Sequence, residues 1–316
     1  MRNSDCFLFV TASVAKQSNA RKEENFRKSN LLQEVNAMFS HSPELIKELE
    51  EKTQRFRVEI IKMIYNAQSG HPGGSLSAID ILTCLYFHQM KIKSEDPSWE
   101  DRDRFILSKG HAAPALYIIL AELGYFPKEN LSTLRQVGSI LQGHPDMRKT
   151  PGVEISTGSL GNGLSIGIGM ALSAKLSKKN YHVYVLVGDG ECDEGGIWEA
   201  AMAAAKYKLD NLTAICDFNR VQLDGPIDEI MPLDSLPEKW KAFNWNVMEI
   251  DGHNMGEILD ALDKAKRVKR KPTIIVAHTI KGKGVSFMEN KFQWHGRAPN
   301  KEEYEIALQD LRGAKE

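Results

Sequence analysis

The chain has 316 residues, of which 26% are charged and 42% hydrophobic, and its formal net charge is -1. This balance of charge argues against a nucleic acid or an acidic membrane surface as a partner. The four cysteines lie at no metal-ligand spacing and are too few for a disulfide framework, which favours a reducing, cytoplasmic location; no apolar run approaches the roughly 18 residues that span a bilayer.

The first 40 residues are predicted to be a disordered extension or a misassigned start, with Met38 as the alternative initiator. The apolar stretch at residues 6–10 is shorter than the core of a secretory signal. Residues 16–30 are basic but also contain acids, whereas transit peptides are poor in acids, so a targeting segment is the less favoured alternative. We therefore expect residues 41–316 to form the folded domain.

Two helices are predicted in the first part of that domain. Residues 43–66 carry apolar side chains at helical spacing, and the Gly- and Pro-rich residues 69–74 end this helix. A second helix is predicted over residues 77–90, where Ser77 followed by Asp80 forms a variant of the capping box.

Short apolar runs in the rest of the chain predict β-strands. The runs after residue 180 alternate with helical segments, a pattern typical of a parallel sheet covered on both faces. The expected fold class is therefore α/β, with a mostly parallel sheet and helices on both faces. The predicted strands are residues 105–107, 183–187, 212–216, 247–250 and 273–277, and the helices that alternate with them lie near residues 197–208, 236–243 and 256–267.

Two polar residues follow two of these strands and suggest a metal site. Asp189 lies between Gly188 and Gly190 directly after an apolar strand, and Asn219 follows the next strand, 219 − 189 = 30 positions later. Ligands of open α/β sheets bind at the carboxyl ends of strands, and a Gly-rich turn offers free N–H groups to a phosphate. Carboxylate and amide oxygens suit Mg²⁺ rather than zinc. The alternative is an ordinary Gly-Asp-Gly turn without a ligand.

Five further blocks accompany this pair, in the order SGHPG (69–73), DRFILSKGHA (103–112), GHP (143–145), TGSLGNG (157–163) and WHG (294–296). Together they resemble the transketolase family, from about residue 43 to the end of the chain. The resemblance implies the thiamine-diphosphate-binding fold, with thiamine diphosphate and Mg²⁺ as cofactors. It also implies transfer of a two-carbon ketol unit from a ketose phosphate to an aldose phosphate.

The resemblance also assigns site residues. It implies that Asp189, Asn219 and the main-chain carbonyl of Val221 hold the metal. The histidines implied to face the sugar hydroxyls are His71, His144 and His295. The residues implied to contact or support the cofactor are His111, Gly158, Leu160, Gly161, Gly188, Gly190, Glu194 and His295.

Several of these residues also have plain structural interpretations. Residues 158–161 suit a tight turn that opens the next helix as well as they suit cofactor contact. Glu194 is interpreted equally as a capping acid or as a support for the metal site and a dimer contact. Residues 281–284, Lys-Gly-Lys-Gly, are expected to be a plain basic turn rather than a loop beside the diphosphate.

In the family that the chain resembles, a Glu from a second domain activates the cofactor. The resemblance covers only the first domain, so it implies a C-terminal transketolase subunit on a separate chain as partner, with sugar phosphates as substrates. The alternatives are half of another thiamine-dependent enzyme, either a 2-oxo acid decarboxylase or a deoxyxylulose-phosphate-type synthase, and a non-catalytic transketolase-like subunit.

Overall fold

Parallel strands form a five-stranded sheet in the computed structural model, which describes residues 41–233 and 235–313. The strand order across the sheet is β1-β2-β3-β5-β4, and every neighbouring pair is parallel. The strands are Arg104–Leu107 (β1), Val183–Gly188 (β2), Leu212–Phe218 (β3), Asn246–Asp251 (β4) and Thr273–His278 (β5). The five predicted strands and the parallel sheet are confirmed, while the extension predicted for residues 1–40 lies outside the described residues.

Helices precede the sheet, connect its strands and follow it. Among the described residues, no helix combines the length and the hydropathy needed to cross a bilayer. Short 3-10 turns follow β1 at Gly110–Ala112 and β2 at Gly190–Asp193. The helices are Pro43–Ala67 (α1), Pro72–Cys84 (α2), Ala113–Glu122 (α3), Gly163–Leu176 (α4), Gly195–Lys206 (α5), Ile227–Ile230 (α6), Leu236–Ala242 (α7), Met255–Arg267 (α8) and Lys301–Gly313 (α9).

The start of α2 differs from the prediction. The helix begins at Pro72, not at Ser77, because proline has the right φ for the first helical position and lacks only an N–H that would be unbonded there. Ser77 lies buried inside the helix, where its hydroxyl donates to Asp217 rather than capping an N-terminus. Asp80 is likewise buried and pairs with Arg57 of α1, so the predicted capping box is wrong.

The alternation of side chains along each strand divides the interior into two hydrophobic cores. On β2, Tyr184 and Leu186 face the core that is formed with α1, α2, α3, α8 and α9. Val185 and Val187 face the second core, formed with α4, α5 and α7. The prediction of helices on both faces of the sheet is therefore confirmed.

The register between β2 and β3 positions the polar residues that follow them. Gly188 of β2 pairs with Asp217 of β3, so the two strands end at the same level. Asp189 and Asn219, which come one residue after these strands, consequently lie at one edge of the sheet. This edge is formed by carboxyl ends of parallel strands, where α/β folds bind their ligands.

Candidate cofactor and substrate site

A cavity of about 190 Å³ opens at the carboxyl ends of β2 and β3, and we call it the central cavity. A larger cavity of about 670 Å³ lies beside α1 and α3 but contains none of the predicted site residues. The central cavity is lined by Gly74, Lys109, His111, Leu160, Gly188, Asp189, Gly190, Glu191, Asn219, Val221, Gln222, Leu223, Lys281 and His295.

The three predicted metal-binding residues all line this cavity, as the adjacency of β2 and β3 requires. Asp189 is buried and accepts hydrogen bonds from the main-chain N–H groups of Gly190 and Arg220. The Asn219 side-chain oxygen accepts from the Val221 N–H at 3.1 Å. The sequence prediction that these oxygens come together is consistent with the fold, and their role as metal ligands stays a prediction.

A buried carboxylate, that of Asp217, and two buried ammonium groups lie close to the predicted metal-binding residues. Lys109 forms an ion pair with Asp217, which also accepts hydrogen bonds from the hydroxyls of Ser77 and Thr279. Burial opposes the charge of Asp217, but Lys109 and these hydroxyls hold its pKa below the usual value. Burial and the neighbouring Asp217 carboxylate raise the pKa of Asp189 to about 6, as expected of a carboxylate that lacks a counter-ion of its own.

Lys281 is the second buried ammonium group, and the prediction of a plain basic turn at residues 281–284 is wrong in this respect. Its side chain is only 2% exposed. The ammonium nitrogen donates to the Val221 carbonyl oxygen at 2.7 Å and to Nδ1 of His295 at 2.9 Å. Burial and the charge of Lys109 lower the pKa of Lys281 to about 8. A cation therefore already contacts the carbonyl that is predicted to bind the metal.

Glu191, which was not predicted, ties two Gly-rich turns together. Its buried carboxyl group accepts from the main-chain N–H groups of Gly161 at 2.9 Å and Gly188 at 3.1 Å, and from the Ser108 hydroxyl. Glu194 is exposed and makes no side-chain capping hydrogen bond at the start of α5, so its interpretation as a capping acid is wrong. Its predicted role in a dimer contact remains a prediction.

The turn at residues 158–161 depends on its glycines. Gly158 and Gly161 have φ values of 145° and 82°, which L side chains rarely adopt. A Cβ atom on Gly158 would lie 3.2 Å from the His144 ring, and one on Gly161 would lie 2.7 Å from Cβ of Glu194. Leu160 between them lines the central cavity. The turn therefore brings the backbone close both to the cavity and to a predicted sugar-facing histidine.

The four predicted histidines converge from separate segments, and we call them the histidine cluster. His71 lies at the centre, with its ring centroid 5.5 Å from those of His111 and His295 and 6.1 Å from that of His144. His111 and His295 are 4.9 Å apart and line the central cavity, whereas His71 and His144 lie beyond its lining. A ligand anchored at the metal-binding residues would therefore extend towards this cluster.

The histidine cluster is uncharged near neutral pH. Burial lowers the pKa of His71 to about 4 and that of His295 to about 3, and it places the pKa of His111 well below the usual value. The pKa of His144 is also lowered, by partial burial and then by Arg135, although its ring remains open to solvent. Neutral imidazoles each offer one donor and one acceptor, which suits hydroxyl and carbonyl oxygens better than anions.

Comparison with known proteins identifies the family. Residues 48–313 match the family described as transketolase, thiamine diphosphate binding domain. The chain belongs to this transketolase domain family. It is 45% identical over 266 residues to an apulose-4-phosphate transketolase subunit of Phocaeicola vulgatus, covering 84% of this chain and 94% of that protein. It is 50% identical over 242 residues to the 6-deoxy-6-sulfo-D-fructose transketolase subunit of a Clostridium species, covering 77% of this chain and 88% of that protein.

Solved transketolases share the fold. The transketolase of Campylobacter jejuni superposes with a TM-score of 0.80 and 34% identity. The matched region covers 84% of this chain but only 43% of the C. jejuni protein, so this chain spans about two fifths of a long transketolase. The α/β fold and the transketolase thiamine-diphosphate domain predicted from the sequence are confirmed.

The residues at this site fit Mg²⁺ and the diphosphate of the family's cofactor. Asp189, Asn219 and Val221 line the central cavity and would offer carboxylate, amide and carbonyl oxygens, the donor set that hard divalent cations prefer. The Lys281 ammonium donates to the Val221 carbonyl, so a cation already contacts that oxygen. Gly188 and Gly190 flank Asp189 at the cavity wall, where their N–H groups donate to the carboxylates of Glu191 and Asp189.

Sequence reasoning missed four further polar residues of the site. Lys109 belongs to the block at residues 103–112, but the sequence does not show that it forms a buried ion pair. Glu191 lies three residues before Glu194, the acid to which the resemblance assigns a role. Arg135 reaches the site from a loop that no block marks, and Lys281 belongs to residues 281–284, for which the plain turn was preferred to a loop beside the diphosphate.

Proposed function

We propose that this chain is the cofactor-binding subunit of a two-chain transketolase. Together with a C-terminal partner subunit it transfers a two-carbon ketol unit from a ketose phosphate to an aldose phosphate. The observation that carries the proposal is the position of oxygen ligands for a metal and of four neutral histidines around one sheet edge. The metal bound by these oxygens would anchor an anionic cofactor, and the histidines would supply hydrogen bonds to a polyhydroxylated substrate.

The roles of the individual residues follow from this geometry. Asp189, Asn219 and the Val221 carbonyl would hold Mg²⁺, and Lys281 would balance the charge of the diphosphate. Thiamine diphosphate supplies the carbon nucleophile when it is bound. His71, His144 and His295 would bind and orient the sugar, since their neutral rings can donate to its oxygens or exchange protons with them. His111, which lines the cavity beside His295, would contact the cofactor.

A separate partner subunit is supported by the lengths of the relatives. This chain matches the P. vulgatus protein over 94% of its length, and that protein is named as a transketolase subunit. A chain of this length is therefore compatible with one subunit of a two-chain enzyme. The same region covers less than half of the long transketolase of C. jejuni. We infer that the remaining domains act from a second polypeptide.

A cytoplasmic location is part of the proposal. Cys84, Cys192 and Cys216 are free and buried in the structure, as expected of a protein that remains in a reducing compartment. Fractionation of cells that express a tagged chain tests this location, and recovery from the membrane or the exported fraction would contradict it.

The activity is tested by reconstitution. This chain, the C-terminal subunit from the same genome and their mixture are assayed with thiamine diphosphate and Mg²⁺ on a panel of ketoses. The panel includes ordinary ketose phosphates and the apulose 4-phosphate and 6-deoxy-6-sulfo-D-fructose for which the relatives are named. We expect turnover only in the mixture. Turnover by this chain alone would refute the need for a partner, and an inactive mixture that still binds the cofactor would favour a non-catalytic subunit.

The metal site is tested separately by calorimetry. Asp189→Asn should reduce the affinity of the mixture for thiamine diphosphate and Mg²⁺ at least tenfold, because a buried charge-assisted ligand is lost. Asp193→Asn is the matched control, since this acid lies in the same turn but is exposed and bonded only to Gln222 among the described contacts. Equal affinities for the two variants would refute the metal assignment.

A further inference from the structure

Arg135 contacts the central member of the histidine cluster. Its guanidinium donates from Nη1 to the Ser69 hydroxyl at 2.9 Å, and Nη2 lies 3.3 Å from Nδ1 of His71. Ser69 and His71 flank the glycine at which the chain enters α2, so the guanidinium joins both ends of that short segment. No sequence block marks Arg135, which lies in the loop between α3 and α4.

The chemistry of this contact determines which nitrogen of His71 carries a proton. A guanidinium has only donors and is not deprotonated in proteins. Nδ1 of His71 must therefore act as the acceptor, which places the single proton of the neutral ring on Nε2. The low pKa of His71, caused first by burial and then by the charges of Arg135, His144, Lys281 and Lys109, keeps the ring neutral.

The local structure holds the guanidinium in this place. A Cβ atom on Gly143 would lie 2.9 Å from Cζ and Nε of Arg135, so a larger residue at position 143 would displace the guanidinium from its present place. Arg135 itself has a φ of 61°, a left-handed conformation that is unfavourable for residues with a side chain. Its main-chain N–H donates to the Leu141 carbonyl at 2.8 Å, which stabilises that conformation.

A second cation makes the same kind of contact with a second histidine. The ammonium of Lys281 lies 2.9 Å from Nδ1 of His295, and an ammonium likewise only donates. Two imidazoles, 5.5 Å apart at their centroids, are thus both protonated on Nε2. The Arg135 contact is the better one to test, since Arg135 is not among the residues that line the central cavity.

We propose that Arg135 is a positioning residue that fixes His71 as the Nε2–H tautomer, so that His71 donates a hydrogen bond to an oxygen of the ketose. This rests on the proposed function for the identity of the ligand, but not for the tautomer. With Nδ1 occupied, the polar atom of the His71 ring that is left without a hydrogen bond to the described residues is Nε2, and that atom is a donor. The site then distinguishes a substrate oxygen that can accept at this point from a group that can only donate.

The tautomer is measured by nuclear magnetic resonance on the isolated, ¹⁵N-histidine-labelled chain. Protonated and lone-pair imidazole nitrogens have well-separated ¹⁵N resonances, and His71→Gln identifies the His71 signals by their loss. We expect the wild-type chain to show Nε2 protonated and Nδ1 unprotonated. Protonation on Nδ1, or an even mixture of the two tautomers, would overturn the proposal without any variant.

The role of Arg135 is tested with three variants. Arg135→Met should reduce the ratio of the Nε2–H to the Nδ1–H tautomer of His71 about tenfold, since a hydrogen bond from a charged donor is lost. Arg135→Lys retains a donor and should keep this ratio close to that of the wild type. Arg312→Met, which removes an exposed arginine at the end of α9, should leave the spectrum unchanged. An unchanged tautomer ratio in Arg135→Met would overturn the role of Arg135.

The same variants separate a positioning role from a purely structural one. In the reconstituted enzyme, Arg135→Met should lower kcat/KM for the ketose about tenfold while the affinity for thiamine diphosphate stays unchanged. Equal losses of sugar turnover and cofactor affinity would contradict the proposal. If Arg135→Met does not fold, Ser69→Ala removes the other partner of the guanidinium and should shift the tautomer ratio in the same direction. The resonance measurement needs neither the partner subunit nor a sugar. A wrong substrate class would therefore change only the turnover assay, whereas a wrong tautomer would appear in the resonance spectrum.

Discussion

The ammonium nitrogen of Lys281 lies 2.7 Å from the Val221 carbonyl oxygen and 2.9 Å from Nδ1 of His295, so one side chain joins the predicted metal site to the histidine cluster. The contact is possible because the main chain turns directly after β5, where Gly282 adopts a φ of 79°. A Cβ atom on Gly282 would lie 2.5 Å from the Met288 carbonyl oxygen, so this glycine allows the close turn that directs Lys281 inward.

Loss of this cation should weaken cofactor binding. We expect Lys281→Met to reduce the affinity for thiamine diphosphate at least tenfold, because a buried positive charge near the diphosphate is removed. Calorimetry of the reconstituted enzyme at saturating Mg²⁺ measures the change. The control is Lys283→Met in the same turn, whose side chain lies outside the central cavity. If both variants bind equally well, Lys281 serves only the fold.

Glu191 and Glu194 should differ sharply in their effect on stability. Glu191→Gln replaces an accepting oxygen with a donor that faces main-chain N–H groups, and we expect it to lower the free energy of unfolding by about 2–3 kcal/mol. Glu194→Gln changes an exposed side chain and should alter it by less than about 0.5 kcal/mol. Urea denaturation of the isolated chain measures both changes. Similar losses in the two variants would contradict the conclusion that Glu191 holds the two Gly-rich turns together.

The glycine at position 158 should be required for sugar binding more than for folding. Gly158→Ala places a methyl group against His144, and we expect KM for the ketose to rise severalfold as that ring moves. Gly138→Ala is the matched control, because Gly138 also has a positive φ of 83° but a Cβ there would meet no atom within 4 Å. Both variants should lose about 1–2 kcal/mol of stability from backbone strain. A rise in KM for both, or for neither, would refute the contact argument.

His182 should contribute to instability in acid. It is buried beside Thr213, and burial lowers its pKa from 6.5 to about 3. Between these two values the unfolded chain binds a proton that the folded chain does not, so stability falls as the pH decreases through this window, by at most about 1.4 kcal/mol per pH unit for this group. Above pH 6.5 His182 is neutral in the folded and the unfolded chain, so it no longer lowers the free energy of unfolding.

The measurement is the urea midpoint of wild type and His182→Gln from pH 7.5 to pH 4. The variant should show a shallower decrease, although His71 and His295, whose pKa values are also lowered, leave part of it. His278→Gln, at an exposed position at the end of β5, should follow the wild-type curve. Parallel curves for wild type and His182→Gln would show that His182 does not titrate in the folded chain as described.

The sheet and the proximity of Asp189 to Asn219 could be predicted because their determinants are local. Mostly apolar runs of three to five residues mark the strands, and Asp189 and Asn219 come directly after two of the strands. The start of α2 was predicted wrongly because Pro72 and the glycines of residues 69–74 are typical of a break between helices. Pro72 instead begins the helix, and Gly73 and Gly74 allow close contact with Trp294 and His111.

The side chains that complete the site could not be predicted from local patterns. Lysine and glutamate are normally exposed, so the burial of Lys281 and Glu191 depends on tertiary partners far away in the chain. Val221, with which Lys281 bonds, is 60 residues away, and Gly161, with which Glu191 bonds, is 30 residues away. Of the three acids that follow Asp189, the resemblance favoured Glu194, whereas Glu191 is the one that accepts hydrogen bonds from Gly161 and Gly188.

The two parts of the site have different origins in the chain, and this bears on how such proteins diverge. The oxygens that are predicted to bind the metal come from residues that follow two adjacent strands, whereas the four histidines come from four separate loops or helix starts. A loop can lengthen or exchange a residue without shifting the register of β2 and β3. Such a change would alter contacts with the sugar and leave those with the cofactor as they are, and two relatives of this chain bear the names of chemically different ketoses.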